Sequence, residues 1–184
     1  ITDDIDFVFY DISPETSIEN ISLIELDSTK QLSESEPKDI FISGNFNDSG
    51  KIFKYSPSTT DGWNRFHQVS TETRGYYKLF NIDNDIYVIT KFSDLIIKKF
   101  NRDNSLFEET YRGRSFVFTE VCHKIDEKGK DDVYIIGTGD YCIYKSYNNT
   151  FIPVFENCNN TNFSPISALS DNSHIYISTS DNQI

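Results

Sequence analysis

One phrase recurs four times along this chain, and the spacing of its copies limits the architecture more than any other feature. Residues 132–138 read DVYIIGT, 85–90 read DIYVIT, 39–44 read DIFISG and 174–179 read HIYIST. The copies begin at residues 39, 85, 132 and 174, so they stand 46, 47 and 42 residues apart. A fixed period of that length means one supersecondary unit used repeatedly, each copy burying its apolar faces against its neighbours.

The surroundings of the phrase repeat as well. ISLIEL, YYKLFNI, SFVFTEV and SPISAL precede the four copies; KIFKY, LIIKKF and YCIYKS follow the first three, and each of these leads through a turn to a further strand. Each complete unit therefore reads as four strands, A to D, with the phrase as the nearly continuously apolar B strand of a doubly buried sheet. NDSG, RDNS, YNNT and SDNS supply the residues that tight hairpins require. Abundant aromatics (15%), a lone alanine (Ala168) and no methionine favour strands over helices. The expected units cover residues 18–69, 76–111, 115–156 and 164–184 of one all-β domain spanning 1–184, the fourth stopping just after its B strand. Ser13, Pro14 and Glu15 look like a helix start, whereas residues 20–26 read as strand and 33–39 as an acidic loop.

A period of about 40–50 residues with four strands per unit resembles the blades of a β-propeller. The Gly-His and Trp-Asp pairs of the WD40 family, the Gly-Gly pair of kelch repeats and the S-x-D-x-G-x-x-W box of sialidase-type propellers are all missing; the only tryptophan, Trp63, sits in DGW. Three complete units and part of a fourth fall short of a ring, and an open ring exposes an apolar sheet face. The resemblance thus implies a fragment of a six- or seven-bladed propeller, completed by further sequence or by a second chain. Asp4–Tyr10 (DIDFVFY) reads as a strand available to the last blade or to one beginning upstream.

Charge and composition narrow the function. Of the net charge of −12, residues 1–48 carry −10, from twelve acids against Lys30 and Lys38. An acidic chain is poorly suited to a phosphate backbone, so no nucleic-acid partner is expected. No apolar run approaches the ~18 residues of a membrane span, and no membrane insertion is expected within these residues. The lack of methionine suggests a processed or excised piece. N-x-S/T sequons at Asn20, Asn47, Asn148, Asn159 and Asn162, three of them around Cys158, point to a glycoprotein ectodomain, extracellular or in the secretory pathway. Cys122, Cys142 and Cys158 are disulfide candidates with the pairing open. A hairpin centred on Asn148 and Asn149 would set residue 155 opposite Cys142, about 10 Å short of Cys158 at strand rise.

Chemistry-bearing motifs are scarce. His67, His123 and His174 lack zinc-type spacing with one another or with the cysteines, and adjacent Cys122 and His123 point to opposite sheet faces. There is no nucleophile elbow, Gly-rich phosphate loop or H-E-x-x-H, and the Asp/Asn-rich turns lack an EF-loop pattern. No catalytic, metal or cofactor residues are therefore assigned. Lys91, Lys98, Lys99, Arg102, Arg112 and Arg114, followed by Lys124, Lys128 and Lys130, gather in the middle of the chain, where they either form a docking surface or pair internally. The expected function is non-catalytic protein–protein recognition on a propeller scaffold, the partner being another protein or the rest of the same propeller. The alternatives are a glycan-acting hydrolase and a purely structural domain.

Overall fold

The computed structural model describes residues 19–25, 40–46, 49–55, 66–72, 75–83, 85–126, 128–156, 164–171 and 173–180. These residues form an all-β structure of antiparallel sheets taken in chain order. The first sheet holds β1 (Glu19–Glu25), β2 (Ile40–Phe46), β3 (Ser49–Tyr55) and β4 (Phe66–Glu72), and the second β5 (Tyr76–Ile82), β6 (Asp85–Thr90), β7 (Leu95–Asn101) and β8 (Leu106–Gly113). The third holds β9 (Phe116–Ile125), β10 (Asp131–Gly139), β11 (Tyr141–Tyr147) and β12 (Thr150–Glu156); the fourth holds β13 (Pro165–Ser170) and β14 (Ile175–Thr179). Within each sheet the strands pair in sequence order, as a meander does, and the repeated phrase forms β2, β6, β10 and β14. The four-stranded units are compatible with a propeller-like repeat.

Consecutive sheets stack face to face, and strand alternation sorts the phrase between its two neighbours. In β6, Ile86 and Val88 join Phe41, Ile52 and Val69 of the first sheet in one core. Tyr87 and Ile89, one residue on, join Val133, Ile135 and Phe151 of the third sheet in a second core. Phe41, Tyr87, Tyr134 and Tyr176 occupy the same place in the four copies. In the inner units this aromatic looks toward the following sheet, whereas the flanking aliphatics look toward the preceding one. Phe41 meets Phe100 edge-on at a centroid distance of 4.8 Å, and Tyr87 meets Phe151 at 6.2 Å. Edge-on geometry sets the positive ring edge against the negative face and adds to the burial gain.

The hairpins follow from turn chemistry. Asn148 and Asn149 join β11 to β12 with φ of 46° and 63°, the left-handed pair that matches the twist of a two-residue hairpin. Asn101 and Asn104 accept the N–H groups of Asp103 and Leu106 in the turn after β7. Asp171 accepts the N–H groups of Ser173 and His174 before β14. Where the first and second sheets approach, Gly50 lies against the backbone of Gly75, whose φ is 81°, and a side chain on Gly50 would run into it.

The Asp4–Tyr10 strand, the Ser13–Pro14–Glu15 helix start, the 33–39 loop and Trp63 lie outside the described residues. No helix among the described residues is long and apolar enough to cross a membrane.

Candidate interaction surface

The first position of the phrase does more than begin a strand. Register sets Lys54 opposite Phe41, Lys99 opposite Tyr87 and Lys145 opposite Tyr134, so each third strand places a lysine beside the repeated aromatic. Lys99 Nζ bonds Asp85 at 2.6 Å and lies 5.8 Å from the Tyr87 ring centre; Lys145 Nζ bonds Asp132 at 2.7 Å and lies 5.6 Å from that of Tyr134. An Asp-x-Tyr on one strand and a lysine on the next thus form a repeated cluster of carboxylate, ammonium and ring. The hydrogen bond to Asp132 raises the Lys145 pKa against the opposing effect of burial. For Lys99, burial pulls the pKa down, but the bond to Asp85 and the nearby Tyr87 and Asp85 charges outweigh it and leave the pKa raised. The middle-chain cations expected either to dock a partner or to pair internally include several that pair. Besides Lys99, Arg112 grips Glu109 through two nitrogens and approaches Asp94 at 3.8 Å.

The fourth sheet breaks the burial pattern. Ala168 pairs with Ile177 and Ser170 with Ile175, all facing the third sheet, where Thr119 Oγ1 donates to the Pro165 carbonyl. The opposite face carries the directly paired Leu169 and Tyr176, and beside them the paired Ser167 and Ser178. Ile166 stands in the bulge between Pro165 and Ser167. Leu169 is 62% exposed, Ile166 64% and Tyr176 44%, whereas Phe41 and Tyr87, the counterparts of Tyr176, are at most 2% exposed. The face bears no charged side chain among these residues; Asp171 lies at its border, accepting the Tyr176 hydroxyl at 3.1 Å. The Asp171 carboxyl is held well below its usual range by the Ser173 and His174 N–H groups, so it stays ionised there.

No protein-family model matches this chain, and no curated protein matches it.

The disulfide and sequon candidates fall in different places. Cys122 is a free thiol buried between the third and fourth sheets. Burial, helped by the Glu120 charge, pushes its pKa up to about 11 against the Ser170 hydrogen bond and Lys78. Cys142, on β11, is disulfide-bonded, and Cys158 lies outside the described residues. The sequence register is kept from Tyr147↔Thr150 to Tyr144↔Pro153, and a bulge then shifts Ile143 to Phe155. Asn148 is exposed at its hairpin tip; Asn20 lies on β1, and Asn47, Asn159 and Asn162 lie outside the described residues. His67 lies on β4.

Other chemistry finds little support. No group of three or more His, Cys, Asp or Glu among the described residues is arranged to hold a metal ion. His123 Nδ1 lies 2.8 Å from Asp131 Oδ2, but among the described residues no hydroxyl or thiol is hydrogen-bonded to that ring. A cleft of about 230 Å³ beside this pair is lined by Asp83, Lys130, Asp131, Asn148 and Asn149, where turns of the second and third sheets converge. Ligand pockets usually run from about 300 Å³ upward. The Ser146 hydroxyl in its wall is bound to the Val133 N–H at 3.0 Å.

Proposed function

We propose that this chain is a non-catalytic protein–protein recognition module on a propeller-type scaffold, with the partner seated on the outer face of the fourth sheet. The observation that carries the reading is the exposed Leu169–Tyr176 pair, at a position that the first two units fill with a buried aromatic and the third with the half-buried Tyr134. An uncharged apolar face on a chain of net charge −12 is costly to leave in water and suits a protein partner. The bonded Cys142 and the exposed Asn148 sequon support a secretory-pathway or extracellular setting, where disulfides persist. No specific observation among the described residues favours the glycan-acting alternative: the cleft that carries the carboxylates of Asp83 and Asp131 holds only about 230 Å³.

The test is photocrosslinking from a benzophenone side chain placed at Leu169 and, separately, at Leu106, which is 53% exposed on β8. Crosslinking to protein concentrated at position 169 and abolished by Ser178→Lys is the expected result. Equal yields at the two positions, or turnover of a glycan panel by the purified chain, would overturn the reading.

A further inference from the structure

Resting on that reading, we infer that the protein seated on the fourth sheet is a second copy of this chain, packed face to face about a two-fold axis. The outer face has two rows: Leu169 opposite Tyr176 is bulky, and Ser167 opposite Ser178, two residues along each strand, is small. A two-fold rotation lays the bulky row of one copy over the small row of the other. This is the self-matching that an isologous interface requires, since one patch must serve both sides. Ile166 stands beyond the small row, next to where the partner's bulky row would rest.

Charge agrees with this arrangement. Two copies of so acidic a chain repel at long range, which favours contact through an uncharged patch. Ile166, Ser167, Leu169, Tyr176 and Ser178 form such a patch, and Asp171 at its border is already occupied by its own turn and by the Tyr176 hydroxyl. The first two sheets bury the repeated aromatic side against the sheet that follows; the pair of copies covers the same side of the fourth sheet, here with aromatic face against aromatic face. Two short strands make a small interface, so association should depend on concentration and lie at the weak end of specific contacts.

Sedimentation velocity of the full 184-residue chain over a wide concentration range tests the inference. A monomer–dimer equilibrium with no larger species is expected. Ser178→Lys and Leu169→Lys should weaken it by about tenfold or more, since each puts a charge at the centre of a small contact. Leu106→Lys, the same charge at another exposed apolar site, should leave it unchanged. Ser178 is exposed, so its variant removes no packing, and an unchanged circular dichroism spectrum will show that it folds. A dimer insensitive to both face variants would overturn the inference, as would a ladder of larger species, because head-to-tail stacking does not close.

A chain that stays monomeric also overturns it, and labelling of Ser178→Cys then separates two cases. Reaction at the rate of a free thiol leaves the recognition face open to a different protein. Protection in the monomer means the chain covers its own face, and the proposed function falls as well.

Discussion

At the residue scale, two side-chain positions report on how closely the sheets fit. Cys122 is sealed between the third and fourth sheets, so native thiol labelling near neutral pH should be slower than in denaturant by about two orders of magnitude or more. Its raised pKa also fixes a sign. Between pH 9 and about 11 the unfolded chain releases the thiol proton while the folded chain keeps it, so stability should fall as pH rises through that window. Lys145, with its pKa also raised, acts in the same direction at still higher pH, because the folded state again holds the proton longer. Urea titrations from pH 8 to pH 11 should show this decline, and Cys122→Ser should reduce its lower part. Gly50→Ala places a methyl group against the Gly75 backbone and should cost about 1–3 kcal/mol in the same titrations, as overpacked sites do. Cys122 is free, Cys142 is bonded and the chain has three cysteines, so peptide mapping without reduction is expected to link the peptides carrying residues 142 and 158.

At the element scale, the repeated strand was visible in the sequence because it is apolar on both faces, and its copies do form the second strand of each sheet. The two-residue Asn148–Asn149 turn was equally legible, because few residues other than asparagine and glycine tolerate positive φ in succession. The role of the aspartate that opens the phrase was not legible. Its lysine partner lies on the next strand, at a place fixed by hairpin register, and in the sequence Lys99 and Lys145 look like ordinary exposed charges. The bulge between Ile143 and Tyr144 was hidden too, since it inserts a residue without changing composition. A double-mutant cycle with Asp85→Asn and Lys99→Met should return a coupling of about 0.5–1 kcal/mol, modest because both side chains are partly solvated. A cycle joining Asp85 to Lys145 should return none.

At the scale of the whole molecule, the second and third sheets have neighbours on both faces, while among the described residues no sheet lies against the outer face of the fourth. In a stack whose stability is summed from adjacent units, protection follows the number of covered faces. Hydrogen exchange read by mass spectrometry should therefore find β6 and β10 slowest and β13 and β14 fastest; equal rates would mean that the sheets unfold as one cooperative block. The candidate surface could not have been recognised from the sequence, because HIYIST is written much like its three buried relatives. Tyr176 is exposed because no sheet among the described residues lies against its face, although its own strand is written like the others. The phrase also has a direction, its aromatic looking forward along the chain and its aliphatics back. Duplicating one whole unit of about 46 residues within a gene would present every interior face with a familiar counterpart, whereas a unit inserted out of phase would set aromatic against aromatic. Descendants of such a chain can lengthen or shorten by whole units, and a face that no neighbouring unit covers is where selection is free to write something new.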